Sequence, residues 1–487
     1  MDFRNPFASN GIKPSTTPII VSLAEDILHW AHIIADHFSD NNLPQPSFAL
    51  DGPDDYPTNL PINVQDARIQ LRAATSFLAA LAAGPKANIM WTVWNYHDIS
   101  TLMYINHFRI ADAVPLTGSI SFADVAAATK TPESQLKRIL RYAALNHIFA
   151  EPEPGRVAHT PASRQLVTSQ HVQSWIGVRT EETGPASFSL VAATEKWGGD
   201  AMEREQTPYS LAHCDGKLSR FDYLALPGNQ HREARFANLM RALQATEGYK
   251  LDYTVQGYNW QDLGDGATVV DVGGSMGATA QAIAQATNLN FIVQDLPGVV
   301  AKGREALPAE FASRIEFMPY DFFESTQPVP DAAAYVFRQI FHDWTDKYAA
   351  RALRNTASIL RAGQKLIIVD VVMPPPGSVN AHIETQLRRS DMEMMVQFNA
   401  LEREAADWEA LIKMADERLE VTSISKPPGS HNSIVEVVVG AGGLAKTVEK
   451  KPSLTYGRRG SLLYADTSEM GPSRRDSLTY VNTVGAA

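Results

Sequence analysis

Cysteine is nearly absent from this chain of 487 residues: Cys214 stands alone. One thiol excludes a disulfide within the chain and suits a reducing, cytoplasmic setting. Neither a CxxC pair nor a His/Cys cluster is present, which excludes the usual zinc sites. Positive charge is also short, with 43 Lys and Arg against 54 Asp and Glu and a net charge of −11. No nucleic-acid partner is therefore expected, because phosphate contacts need clustered cations. No apolar run approaches the length of a membrane span, so no membrane association is expected. The opening residues, MDFRNPFASNGIKPSTTP, lack a basic stretch followed by an apolar one and do not read as a signal peptide. What remains is ample: 44% hydrophobic residues over this length supply two or three domains with cores that need no disulfide or metal.

Residues 1–18 are rich in Pro, Ser, Thr and Asn and are expected to be disordered. A helical extension follows over 19–104. Its first helix, 19–39, puts Ile20, Leu23, Ile27, Trp30 and Ile34 near one face. After a Pro/Asp-rich linker, Asn63 is placed to cap a helix that Gly84-Pro85 ends. A further helix through Trp91, Trp94, Tyr96 and Met103 is apolar on most sides, which predicts burial. Residues 105–168 pattern as a winged helix. Ser121 caps FADVAAAT, Thr131 with Pro132 starts a second helix, and IFAEPEPGRVAHT reads as two short strands around a turn. Lys137, Arg138 and Arg141 on the second helix would suit DNA. In so acidic a chain they read better as the solvated face of an oligomerisation scaffold.

Residues 169–250 are expected to be helical connectors. Over 251–440 strand and helix alternate, which implies an α/β fold with a parallel sheet. The strand candidates are ATVVDV, NFIVQD, IEFMPY, AAAYVF, KLIIVDVVM, LEVTSIS and SIVEVVVG. Residues 441–487 turn to Gly, Ser, Thr and Arg and are expected to be disordered. Two RRxS matches there end in Ser461 and Ser477. Basophilic kinases read such a pattern, and it also arises by chance in tails of this composition.

Most of the chemistry lies in 269–346, which holds VVDVGGSMGA, FIVQDLP, YDFFE and FRQIFHDW in that order. A strand running into GGSMG and then a helix lets the backbone approach a ligand closely, since glycine permits the tight turn. It is neither the dinucleotide GxGxxG nor the GxxxxGKS phosphate cradle. Taken alone, it is equally a plain strand–helix turn. The next strand ends in Asp295, about twenty residues on, the spacing at which a strand-end carboxylate takes ribose hydroxyls. Asp321 with Phe322 closes a third strand and suits an adenine, by hydrogen bond and by stacking. Each acid alone could be a helix cap. On successive strand ends they outline an adenosine.

With these motifs the chain resembles the plant-type, or caffeate-like, O-methyltransferases that use S-adenosylmethionine, especially their fungal members. The resemblance runs from about 90 to 440 and is densest over 269–346 and 366–411. It implies a Rossmann-like class I methyltransferase domain, α/β, behind a mostly α winged-helix dimerisation domain. It also implies S-adenosyl-L-methionine as cofactor, a homodimer, and a small phenolic or enolic acceptor. Carried over residue by residue, Gly273, Gly274 and Gly277 line the methionine and ribose portion, with Asp271 among the cofactor residues. Asp295 takes the ribose, Asp321 and Phe322 the adenine edge, and Arg338 stands where the family has a lysine. Ser275 and Met276 replace the usual third glycine and its neighbour. A side chain at 275 is expected to narrow the floor of the site.

His342 follows AAAYVF, between an aromatic residue and Asp343-Trp344, where open sheets bind ligands. A lone histidine is more often structural than catalytic. The resemblance changes that weighting, because the matching histidine in the family is the general base. A phenol has a pKa of about 10 and is a weak nucleophile while protonated. A neutral imidazole within reach can remove that proton as the oxygen attacks a methyl already activated by positive sulfur. Asp370 and Glu402 match two family positions, usually both glutamate, that flank the base and fix its tautomer. A strand-end cap and a helix-dipole acid are their alternative readings.

Met392, Met395, Phe398 and Asn399 resemble acceptor-lining positions, and Trp91, Trp94 and Tyr96 could reach a partner's site. Ordinary packing is the plainer reading of both groups. The leading expectation is thus an O-methyltransferase acting on a phenol or enol of a secondary metabolite such as an aromatic polyketide. A fold relative catalysing pericyclic or elimination steps comes second. A winged-helix DNA-binding regulator that senses the cofactor comes third.

Overall fold

A computed structural model describes residues 18–440. Segments 1–17 and 441–487, with Ser461 and Ser477, lie outside the described residues. Two long helices come first, Ile19–Asp40 and Ile62–Val93, packed through Ile34, Phe38, Val64 and Ala67. The face predicted for the first helix is only partly inside: Leu23 and Ile34 are buried and Ile20 is exposed. The second starts directly after Pro61 with no side-chain cap, so Asn63 lies within it and does not cap it. Proline already fixes a compatible φ there and leaves the capping place to its own backbone. Gly84, at φ +76° and ψ 163°, interrupts the helix where the sequence predicts its end, and Pro85 opens a fresh first turn.

The helix Tyr96–His107 departs from expectation. Trp91, Trp94, Tyr96 and Met103 are exposed in the single chain, not buried. An all-round apolar helix must be covered, but the cover need not come from its own chain.

The winged-helix segment follows its pattern. Ser121 accepts the Asp124 N–H at 3.1 Å and caps Phe122–Thr129. The next helix is Glu133–Leu145, one residue later than predicted, with Pro132 outside it in extended backbone. Strands β1 (Ser119–Ser121), β2 (Ala150–Glu153) and β3 (Arg156–Ala158) pair antiparallel in the order β1-β3-β2. Arg141 donates twice to Glu151 of the wing, at 2.6 and 2.7 Å. Its guanidinium is committed within the segment.

All seven strand candidates form strands: β4 (Thr268–Val272), β5 (Asn290–Asp295), β6 (Ile315–Pro319), β7 (Ala334–Arg338), β8 (Lys365–Val371), β9 (Leu419–Ser425) and β10 (Asn432–Val439). They join as β6-β5-β4-β7-β8-β10-β9. The expected all-parallel sheet is corrected to a mixed one, because β10 runs antiparallel to β8 and β9. Only a short connection with Pro427 and Gly429 joins β9 to β10. That is too short for a crossover helix, so a hairpin results. Both faces are apolar. Val270, Phe337 and Ile368 pack on one side against Leu353 and Trp408. Val269, Val336 and Ile367 pack on the other against Ile283 and Phe317. The strand order reverses at β4, and the crevice beyond its carboxyl end is where such sheets place ligands. Among the described residues no helix is long and apolar enough to cross a membrane.

Candidate active site

Beyond β4 the chain turns through residues 273–277 into the helix Ala278–Ala286. Gly273 and Gly277 have φ of +72° and +77°. A Cβ on Gly273 would sit 2.6 Å from Ile340 Cδ1 and 3.7 Å from the Phe322 ring. One on Gly274 would sit 2.6 Å from Asp271 Oδ2. The loop therefore tolerates no side chain at 273 or 274. Ser275 is also left-handed, at φ +52°, a region that favours glycine. Residue 275 is exposed, and its backbone N–H engages the end of β5. That N–H donates to Asp295 Oδ2 at 2.9 Å, while Asp295 Oδ1 accepts the Leu296 N–H. Asp295 thus fastens the glycine loop to the end of β5 and retains lone pairs for a ligand.

Asp271 is buried within β4, and among the described residues nothing bonds its Oδ2. Burial pushes its carboxyl up to about 7, against the pull of Arg338. Arg338, at the end of β7, donates to the Tyr249 carbonyl at 2.9 Å and lies in the field of both Asp271 and Asp370. Asp321 lies two residues beyond β6 and accepts the Phe323 N–H. Phe322 reaches the glycine loop, whereas Phe323 packs on Trp344 with ring centroids 4.6 Å apart.

The chain leaves β7 through Gln339, left-handed at φ +54°, and forms a short turn over Phe341–Asp343. His342 sits on that turn, with its side chain 14% exposed. Its Nδ1 lies 3.2 Å from Glu402 Oε1 and 3.7 Å from Asp370 Oδ1. Asp370 comes from β8 and is fully buried, and Glu402 precedes the helix Ala405–Ala415. Among the described residues Nε2 makes no close bond: Asp343 Oδ1 is 3.8 Å away. Burial lowers the imidazole pKa, but Asp370, Glu402 and Asp343 outweigh it and hold the ring well above its ordinary value. Burial also pushes Asp370 up to about 6. Two acids facing one nitrogen leave Nδ1 as the N–H donor and Nε2 as the nitrogen that can take a proton.

Among the described residues, His342, Asp370 and Glu402 are also the group whose potential metal-binding atoms lie within 4.8 Å of one another. Asp343, the next residue, also lines a small recess with Arg220, Phe221, Trp344, Tyr348 and Phe398. Of the predicted acceptor residues, the structure puts Phe398 there. Met392 and Met395 are exposed on the helix Ala381–Phe398. Asn399 ends that helix and donates to the Gln206 carbonyl at 2.8 Å.

A family model for the O-methyltransferase domain matches residues 200–416, and one for the O-methyltransferase dimerisation domain matches 92–169. The O-methyltransferase pgmB of Aspergillus terreus is 37% identical over 444 residues, covering 90% of this chain and 99% of its own. This chain belongs to the plant-type O-methyltransferase family. Its fold is shared by solved structures at lower identity. OxaC in complex with sinefungin and meleagrin matches with a TM-score of 0.68 and 23% identity, over 86% of this chain and 99% of that one. A pericyclic reaction enzyme matches with a TM-score of 0.64 and 20% identity, over 77% and 95%.

An O-methyltransferase of this family uses S-adenosylmethionine. The glycine loop fits that group on two observations: the closeness of Ile340, Phe322 and Asp271 to the glycines, and the unbonded buried oxygen of Asp271. Several supporting residues were not found from the sequence. Arg403, fully buried, donates to the carbonyls of Phe341 and Trp344 at 2.8 Å each and to Asp346. It clamps the turn that carries His342, and it is the residue after Glu402. Ser390 donates to Glu402 Oε1 at 2.8 Å, and Asp391 accepts the Glu402 N–H at 2.9 Å. Adjacency to Glu402 was a visible signal for Arg403. Nothing in the sequence marked Ser390 or Asp391.

Proposed function

We propose that this O-methyltransferase methylates a phenol or enol hydroxyl of a small secondary metabolite, such as an aromatic polyketide, with His342 as general base. The observation that carries the proposal is the two-acid grip on Nδ1, which leaves Nε2 without a close partner among the described residues. Bound S-adenosylmethionine supplies a methyl group activated by positive sulfur. Gly273, Gly274 and Gly277 give its backbone cradle, Asp271 and Asp295 take polar groups of the methionine and ribose portions, and Asp321 and Phe322 meet the adenine edge. Arg338 balances the charge of Asp271 and Asp370. The acceptor hydroxyl gives its proton to Nε2, and Glu402 and Asp370 stabilise the imidazolium that forms. Proton removal by a placed base contributes about a hundredfold to ten-thousandfold in rate.

In this reading residues 105–168 serve dimerisation behind a helical extension over 19–104, 169–250 connect, and 251–440 carry catalysis in a cytoplasmic homodimer. Met392, Met395 and Asn399 belong to the acceptor side. A phenol panel incubated with labelled cofactor tests the function: a product heavier by one methyl supports it. An acceptor rearranged with no added mass would favour the pericyclic reading, whose support is the shared fold alone. A cation held by His342, Asp370 and Glu402 is the other use of that triad. Turnover that survives exhaustive EDTA treatment agrees with the base reading, and turnover lost and restored by a divalent ion contradicts it.

A further inference from the structure

Ser390 lies inside the helix Ala381–Phe398. A serine or threonine within a helix commonly donates back to the carbonyl one turn earlier. Thr385 of the same helix does so, to the Ala381 carbonyl at 2.7 Å. Ser390 instead gives its one hydroxyl proton across to Glu402 Oε1, at 2.8 Å. The helix itself gains nothing from a serine here, since alanine has the higher helix propensity.

Glu402 shows what that proton holds. The residue is 4% exposed, and its two carboxylate oxygens are unequally engaged. Among the described residues nothing bonds Oε2. Oε1 has two neighbours, Ser390 Oγ at 2.8 Å and His342 Nδ1 at 3.2 Å. Asp391 accepts the Glu402 N–H at 2.9 Å and so fixes only its backbone. Consecutive residues of one helix therefore hold the two ends of Glu402. Apart from the imidazole, Ser390 is what turns the carboxylate toward the base.

Behind Ser390 stands Tyr249, whose hydroxyl is hydrogen-bonded to it. Burial and the charges of Glu402 and Asp370 push that hydroxyl above its ordinary pKa, so it keeps its proton. A carboxylate only accepts, so Ser390 points its own proton at Glu402 and receives that of Tyr249. Tyr249 is anchored in turn. Its carbonyl accepts from Arg338 at 2.9 Å, and its ring meets His431 with centroids 5.0 Å apart.

We propose that Ser390 is a positioning residue that acts through Glu402: it holds Oε1 against His342 Nδ1 and so keeps the proton on Nδ1 and Nε2 free. The proposal deepens the reading of His342 as general base and, for its effect on rate, rests on it.

The test uses the full-length protein with S-adenosylhomocysteine bound and histidine labelled with ¹³C at Cε1. The His342 signal is the one missing from His342→Gln, and its titration midpoint is read by NMR. Ser390→Ala should lower that midpoint by about one pH unit, the size of one hydrogen bond to a charged group. Ser390→Thr, which keeps the hydroxyl, should lower it less. Placed on Glu402→Gln, Ser390→Ala should move the midpoint no further. In methyl transfer, Ser390→Ala should cut kcat about tenfold with the affinity for S-adenosylhomocysteine unchanged. A midpoint in Ser390→Ala that stays fixed or rises overturns the proposal. So does a shift of the same size in the Glu402→Gln background, which would mean that the serine does not act through Glu402. The NMR titration stands even if His342→Gln turns over at the wild-type rate, so failure of the base reading is told apart from failure of this one.

Discussion

Glu402 and Asp370 face the same ring nitrogen of His342, at 3.2 and 3.7 Å, and this has a consequence for pH. Burial alone would make the ring less basic. The neighbouring acids reverse that and raise its pKa well above the ordinary value. A general base works only when neutral, so kcat/KM should rise with pH through a midpoint above about 6.5. Glu402→Gln removes one raising charge and should move that midpoint down while lowering the maximal rate. A pH–rate profile of both proteins checks this, and a midpoint that stays fixed or moves up counts against the grip. His342 was legible in the sequence as a histidine past a strand end. Asp370 and Glu402 were legible only through the family resemblance, because they lie 28 and 60 residues away. Ser390 was not legible, because a serine marks no function until its partner is known.

The element that matters most is the turn over Phe341–Asp343, held by Arg403 from the segment that also presents Glu402. Arg403→Met strands two carbonyls and Asp346. It should cost about 3 kcal/mol of stability, as for other broken buried charge networks. Urea unfolding reads that loss. Turnover should fall further than the loss of folded protein explains, because the turn that carries His342 is loosened. The glycine loop gives a prediction of opposite sign. Ser275→Gly removes a left-handed serine and should stabilise the fold by about 1 kcal/mol, seen as a raised Tm. All seven strands were legible from β-branched runs, yet their directions were not. Direction depends on the length of the connections, and the link from β9 to β10 is too short for a crossover helix.

At the scale of the molecule, the exposed tryptophans stand out. Trp91 and Trp94 are 60% and 57% exposed, next to Tyr96 and Met103, where the dimerisation domain model begins to match. A second copy that covers this surface gives a particle of twice 53.4 kDa. Trp94→Glu would place a charge in that contact and should shift the protein toward the monomer in sedimentation velocity. A wild-type monomer, or an unaffected dimer, contradicts that use of the surface. Apolar periodicity revealed that these side chains need cover. It could not say whose atoms provide it, and burial within the chain was the wrong inference.

The central claim is that His342 removes the acceptor proton. Single-turnover methyl transfer by His342→Gln, with S-adenosylhomocysteine affinity measured by calorimetry on the same sample, tests it most directly. Transfer should fall by about a hundredfold or more while that affinity stays at the wild-type value. Transfer at the wild-type rate with cofactor affinity intact would remove His342 from the chemistry.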